Sequence, residues 1–313
     1  IVGAAMRFAF VRWHSFASNE FYKHVFIRTL SIFIAGSFIH AFPFIQQDWD
    51  WSNYRIMGVL QRIALAYGIA AIMVIHLDLK KIFISSIGIL LAYWGILWLG
   101  GGSAPYSLDS NFIRKIDILV LGESHLYGGT GIQFDPEGLL STIPSVVTVL
   151  MGYLVGSMLH TTKDFLDNVK RMSTFGIVSI IIGLIWGLIF PINKQLWTSS
   201  YVLFTGGIAT LFLSLLCYMI DIKKWKKPLW VFQIFGTNSI FLFVLSGLWT
   251  KIILKIKFTL EGESISGYGY LYKTIFVPFA GDMFGSLLFA FAHLLGFWLI
   301  LLWFYRKKIF INL

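Results

Sequence analysis

The stretch RIMGVLQRIALAYGIAAIMVIHLDLKKIFISSIGILLAYWGILWLG, residues 55–100, decides the fold. It contains two apolar runs, 55–76 and 81–100, which are separated by a short turn carrying two lysines. Each run has the roughly 20 apolar residues that a helix needs to cross about 30 Å of hydrocarbon. The stretch therefore predicts two consecutive transmembrane helices.

The rest of the chain repeats this pattern, which predicts an all-α, polytopic transmembrane helix bundle forming a single integral membrane domain, residues 1–313. The opening run IVGAAMRFAFVRW, residues 1–13, is typical of the second half of a membrane helix, so we expect further residues upstream. Eight complete spans are predicted at 24–45, 55–76, 81–100, 138–160, 172–190, 200–220, 229–250 and 279–305.

Composition excludes a water-soluble globule. Of the 313 residues, 57% are hydrophobic and 13% are charged, whereas a soluble domain has about 25% charged residues. The formal charge is +10, but the basic residues lie in short loops between apolar runs, which indicates membrane topology and no nucleic-acid partner. Cys217 is the one cysteine, so neither a disulfide framework nor a cysteine metal site can form.

The distribution of lysine and arginine predicts the orientation. Loops 7–28, 77–81, 161–171, 221–228 and 306–313 hold 16 basic residues, whereas the alternate loops hold 7. Cytoplasmic loops carry the excess of Lys and Arg. We therefore expect the two long loops, 101–137 and 251–278, on the outside, with a bacterial inner membrane as the location.

Arg62, in the run GVLQRIAL, is the first candidate for chemistry. It lies about seven residues from the outer end of its predicted span, which is roughly 10 Å deep at 1.5 Å per residue. Arginine stays charged, so it must find an anion or carbonyl groups. It is interpreted either as a contact to an anionic ligand or catalytic carboxylate, or as a structural partner of an acidic residue or a snorkelling side chain.

The run DPEGLLSTIPS, residues 135–145, predicts a helix that begins at the outer face. Asp135 fits the N-cap, Pro136 the first helical position and Glu137 the first turn. In a second, compatible interpretation, one of the two carboxylates pairs with Arg62 or with a substrate amine. We expect Arg62 to pair with Glu137 and to help line a substrate site.

Three further polar residues are candidates. Asn193 and Trp197 lie in the outer loop PINKQLW, which forms either an interfacial turn or the polar wall of a substrate site. Asn238 lies inside a predicted span, where it forms a helix–helix hydrogen bond or contacts substrate. No spacing such as HxxxH or HExxH occurs, so no metal site is predicted.

Four runs occur in a fixed order: GVLQRIALAY (58–67), FDPEGLLSTIPSVVTVLMGYLVG (134–156), PINKQLWTSSYVLFTGG (191–207) and GTNSIFLFVLSG (236–247). Together they resemble the transmembrane acetyltransferase family of heparan-α-glucosaminide N-acetyltransferase and its bacterial relatives. The resemblance covers residues 1–250 well and the remainder by topology only.

The resemblance implies an enzyme that binds acetyl-CoA from the cytoplasm and acetylates an amino sugar on the other side of the membrane. The family's catalytic histidine belongs to a motif of which only the tail matches here, at Ile1, Val2 and Gly3, so it is expected upstream of Ile1. The resemblance assigns Arg62, Asp135, Glu137, Asn193, Trp197 and Asn238 as substrate-binding residues.

We therefore expect a transmembrane acyltransferase with acetyl-CoA as co-substrate and no metal. Its partners are acetyl-CoA, an extracytoplasmic amino sugar or related glycan, and the lipid bilayer, with a homodimer left open. The alternative is a membrane transporter of sugars or sugar derivatives. Transporters favour broken helices at matching positions of two repeated halves, and no such repeat is visible in the sequence.

Overall fold

Long helices with apolar side chains around their whole circumference form most of the structure, as expected for segments that face lipid. Large apolar side chains lie on the surface rather than in the core; Leu188 is 85% exposed and Met283 is 84% exposed. The computed structural model describes residues 1–13, 18–44, 51–159, 164–225 and 227–311. It confirms the all-α transmembrane class.

The described residues form two compact units, each with its own contacts: residues 1–40 with 47–225, and residues 41–46 with 226–313. The prediction of a single membrane domain stays a prediction. The first unit contains α1 Val2–Ala9, α2 Asn19–Ala41, α3 Val59–His76, α4 Leu79–Gly100, α5 Phe112–Leu121, α6 Leu139–Met158, α7 Phe165–Trp186 and α8 Ser199–Cys217.

Seven of the described helices are long and apolar enough to cross a membrane, and a bent helix pair brings the number to eight if it counts as one span. The predicted spans agree with these helices, with borders that differ by several residues. The largest difference at a start is in the α7 helix, which begins at Phe165 rather than at residue 172 because Asp164 caps it through the backbone N–H of Leu166.

The α6 helix is the centre of the first unit. It contacts α1, α3, α4 and α8, and 67% of its span is buried, compared with 28% for α4 and α7. Small residues allow the backbones to approach closely: a Cβ at Gly3 of α1 would collide with the carbonyl of Val149, and Gly156 of α6 faces the backbone of Ala4. The GxxxG pair at Gly152 and Gly156 thus packs α6 closely against α1.

The second unit contains α9 Trp230–Thr237, α10 Ser239–Lys255, β1 Lys257–Leu260, β2 Glu263–Ser266, α11 Gly267–Leu271 and α12 Val277–Arg306. The strands β1 and β2 pair in an antiparallel hairpin inside the predicted outer loop 251–278. Its turn has Glu261 and Gly262 at φ of 53° and 84°, which suits a tight two-residue turn.

Asn238 separates α9 from α10, and the two helices meet at an angle of 77°. Its Nδ2 donates to the carbonyl of Ile309 at 3.1 Å, and its Oδ1 accepts the backbone N–H of Ile311 at 2.7 Å. The predicted span 229–250 is therefore a broken segment, and the Asn238 amide bonds to the chain beyond α12. The run GTNS, residues 236–239, marks this break in the sequence, because glycine, asparagine and serine favour turns.

Candidate functional site

Arg62 lies in the first turn of α3. Because α3 begins at Val59 and not at residue 55, Arg62 is three residues, or about 4.5 Å, from the start of the helix, so the expected depth of 10 Å along the helix is wrong. It is nevertheless only 4% exposed. A loop from another part of the unit covers it: its Nη2 donates to the carbonyl of Pro136 and, at 2.5 Å, to Ser141 Oγ.

The two carboxylates of the DPE run pair with Arg55, not with Arg62. The guanidinium of Arg55 donates to both oxygens of Asp135, at 2.9 and 2.7 Å, and to Glu137 at 2.8 Å. The ring of Tyr127 covers its other side, 4.7 Å from the guanidinium carbon. The expected ion pair between Arg62 and Glu137 is absent from the part of the chain that the structure describes.

Arg55 precedes α3, in an extended segment that ends at Gly58. Burial alone lowers the pKa of its guanidinium, but the hydrogen bonds and charges of Asp135 and Glu137 outweigh burial and raise the pKa above its ordinary value. Asp135 is completely buried, so a bidentate, charge-assisted contact is what makes its burial tolerable.

The N-terminus of α6 differs from the predicted one. The helix begins at Leu139 with Gly138 at its N-cap, and Asp135 instead accepts the backbone N–H of Glu137 within the preceding turn. The carboxylate of Asp117, from α5, caps the helix by accepting the N–H of Leu139 at 2.9 Å. A Cβ at Gly138 would collide with that carboxylate, which explains the glycine.

Asn193 closes its own loop. Its Oδ1 accepts the backbone N–H groups of Gln195 and Leu196, at 2.8 and 3.2 Å, as an Asx turn does. This is the interfacial-turn interpretation. The turn positions Trp197, which has a positive φ of 49° and donates from Nε1 to Thr148 Oγ1 of α6 at 3.2 Å.

The indole of Trp197 covers Arg62, with 4.6 Å between the guanidinium carbon and the ring centroid. Beside this pair lies a cavity of about 300 Å³ between α1, α3 and α6. Its polar lining consists of Arg62, Glu137, Ser145, Thr148, Lys194 and Trp197, and its apolar lining includes Val2, Ile63 and Ala66. The structure thus brings Arg62, Glu137 and Trp197 together at one cavity, with Asp135 and Asn193 supporting its walls.

Asn238 belongs to the second unit, where both ends of its amide are bonded to backbone. His125 joins two loops of the first unit, since its Nδ1 bonds to the carbonyl of Tyr54 at 2.7 Å. Among the described residues no group of three or more His, Cys, Asp and Glu side chains could hold a metal ion.

Asp117 is a buried carboxyl group near the site. Burial raises its pKa to about 7, against hydrogen bonds from the N–H groups of Leu139 and Leu140 that lower it. The negative charge of Asp135 raises the pKa further, and the positive charge of Arg62 lowers it. Oδ1 bonds to α6, whereas Oδ2 has no hydrogen-bond partner among the described residues, which fits a protonated oxygen.

The pKa of Asp117 predicts a pH-dependent stability. The folded pKa lies above the unfolded value of about 3.9, so this group's contribution is complete below pH 4 and is lost as the pH rises through about 7. Asp117→Asn should therefore gain stability relative to the unmodified protein as the pH rises from about 4 to about 7, by at most about 4 kcal/mol in total. Unfolding in mixed detergent micelles at several pH values measures this; Asp109→Asn, at an exposed site, is the control.

Comparison with known proteins agrees with the four motifs. No family model matches the chain. The human protein named heparan-alpha-glucosaminide N-acetyltransferase is 28% identical over 249 aligned positions, covering 62% of this chain and 37% of that protein. The Mus musculus protein of the same name is 29% identical over 251 positions, covering 62% and 38%.

The chain is similar to these two named N-acetyltransferases. The resemblance predicted from the motifs is thereby confirmed, and the long apolar helices are those of an integral membrane protein. The chain spans less than two fifths of the length of the curated relatives it matches.

Sequence reasoning missed Arg55, Asp117 and Tyr127. The signal for Arg55 was Gly58, because glycine favours the ends of helices. A helix that begins after Gly58 leaves Arg55 outside α3. The signal for Asp117 was a single carboxylate in the otherwise apolar run IDILVL, because such a group is buried only with a partner. Nothing in the sequence indicates the cation–π contact of Tyr127.

Proposed function

We propose that the protein is an integral membrane N-acetyltransferase that transfers the acetyl group of acetyl-CoA to the amine of an extracytoplasmic amino sugar or related glycan. The observation that carries the proposal is the similarity to two named N-acetyltransferases over 62% of the chain. The cavity at Arg62, Glu137 and Trp197 supports a location for the reaction.

The lining of this cavity suits an amine acceptor beside a thioester. The carboxylate of Glu137 accepts a hydrogen bond from the amine of an amino sugar, and the ring of Trp197 gives a flat apolar wall for a sugar. Ser145 and Thr148 of α6 offer hydroxyl groups for orientation. Positioning two reactants in one cavity lowers the entropic part of the barrier.

The orientation is part of the proposal. The excess of basic residues, 16 in the first set of loops against 7 in the alternate loops, supports a cytoplasmic position for the start of α2 and the end of α3, and therefore an outer position for Arg55, Asp135 and Trp197. In this orientation the donor reaches the cavity from the basic side. The bacterial inner membrane and a homodimer stay predictions of the sequence.

The test is acetyl transfer across a sealed membrane. Full-length protein is reconstituted in liposomes, and one orientation is selected through an affinity tag on the basic side. Radiolabelled acetyl-CoA is placed on the basic side and glucosamine on the other. We expect N-acetylglucosamine to accumulate on the glucosamine side, with free CoA on the basic side. Failure to consume acetyl-CoA with any amino sugar would refute the activity, and product confined to the donor side would refute the orientation.

One observation favours transport as a second candidate: the 77° break between α9 and α10, since transporters use discontinuous helices at their binding sites. The same liposomes distinguish the two candidates. A transporter moves labelled sugar across the membrane without acetyl-CoA, whereas the proposed enzyme moves only the acetyl group.

A further inference from the structure

Arg62 has two hydrogen-bond donors that the protein does not use. Its Nη2 is taken by Pro136 and Ser141, but Nε and Nη1 have no acceptor among the described residues, and the side chain is 4% exposed. A buried donor left without a partner destabilises the folded protein, and more so when it is charged. Arginine cannot lose its proton to avoid this cost.

The charge of Arg62 is also not cancelled by a direct ion pair. The carboxylates of Asp135 and Glu137 both form their ion pairs with Arg55, and the carboxyl group of Asp117 bonds to the N-terminus of α6. Arg62 forms no ion pair with any residue in the described ranges. Ser141, the carbonyl of Pro136 and the face of Trp197 hold its guanidinium in place, so its free donors have a defined direction.

Arg62 lines the 300 Å³ cavity, and its two free donors are themselves buried. We propose that Arg62 is a catalytic residue that binds the carbonyl oxygen of the transferred acetyl group and stabilises the negative charge that forms on it. The inference rests on the proposed function. Fixed, buried hydrogen-bond donors stabilise a transition state most strongly where charge develops during the reaction. Arginine is among the residue types that provide such donors.

The step balances as follows. The lone pair of the neutral acceptor amine forms a bond to the carbonyl carbon, and the electron pair of the C=O double bond moves to oxygen, where Arg62 binds it. The pair then reforms the double bond, the carbon–sulfur bond breaks, and the thiolate leaves. The proton lost by nitrogen ends on sulfur, so the products are an amide and the free thiol of CoA.

The test separates transition-state stabilisation from donor binding. In full-length protein, Arg62→Met should lower kcat for acetyl transfer by about 100-fold or more, the usual effect of losing an oxyanion-binding donor. The dissociation constant for CoA, measured by calorimetry, should change less than about threefold. Arg28→Met is the matched control, because Arg28 also lies inside a long apolar helix and stacks on an aromatic ring, that of Tyr67, 5.1 Å from the centroid.

A second variant covers the case in which Arg62→Met does not fold. Arg62→Ala leaves space beside the cavity, and added guanidinium should restore at least tenfold of the lost kcat. The proposal would be overturned if folded Arg62→Met keeps kcat within threefold of the unmodified protein. It would also be overturned if weaker CoA binding alone explains the lower activity, or if guanidinium does not restore the kcat of folded Arg62→Ala. If unmodified protein consumes no acetyl-CoA, the proposed function fails first, and this inference fails with it.

Discussion

Replacing Arg55 with methionine is expected to lower the free energy of unfolding by about 3–5 kcal/mol, the usual cost of removing one partner of a buried ion pair. The side chain of Asp135 has no exposed surface, and that of Glu137 is 18% exposed. Both carboxylates would therefore stay largely buried without the positive charge of Arg55. Unfolding in mixed detergent micelles measures the loss. This is the largest stability effect that we expect of a single substitution in the first unit.

A double-mutant cycle tests the pairing itself. Arg55→Met and Asp135→Asn should each be costly, but the double variant should cost clearly less than the sum, with a coupling of about 1–3 kcal/mol. Additive effects would contradict the pairing. The pair Arg114–Glu123, at 2.9 Å with Glu123 57% exposed, is the matched control, and Glu123→Gln should cost no more than about 1 kcal/mol.

Arg55 should also affect catalysis through Glu137, which it holds at the wall of the cavity. At a temperature where the variant is still folded, Arg55→Met should raise the KM for the amino sugar because the acceptor-binding carboxylate is no longer held in position. An unchanged KM for the acceptor would show that Glu137 does not bind it.

Replacing Trp197 with leucine is expected to lower kcat about thirtyfold. The indole stacks on Arg62 at 4.6 Å in a desolvated site, where a cation–π contact is worth about 2 kcal/mol, and each 1.36 kcal/mol corresponds to a tenfold change in rate. Leucine removes the ring that fixes the direction of the guanidinium. Steady-state acetyl transfer at saturating donor and acceptor measures the effect.

Trp197→Phe is the matched variant. It keeps an aromatic face for Arg62 and removes only the hydrogen bond from Nε1 to Thr148, which is 3.2 Å long. It should therefore retain most of the kcat that Trp197→Leu loses. If both variants lose kcat equally, the hydrogen bond to α6 matters and the stacking does not.

The sequence by itself determined the class of fold. Whether a segment crosses a bilayer depends on its own length and apolar content, so hydropathy alone located the spans to within several residues of helices such as α2, α4 and α8. The sequence also placed Arg62, Glu137 and Trp197 towards the same predicted side of the membrane, the outer side.

Only the tertiary structure decided which charges meet. Arg55 and Arg62 are seven residues apart and both lie at the α3 end over which the DPE loop folds. Because α3 begins at Val59, Arg55 is in an extended segment that reaches the carboxylates, whereas Arg62 is in the helix and meets the Pro136 carbonyl. Ion pairing depends on distances of a few ångströms between segments far apart in the chain, and the apolar content of a segment holds no information about those distances.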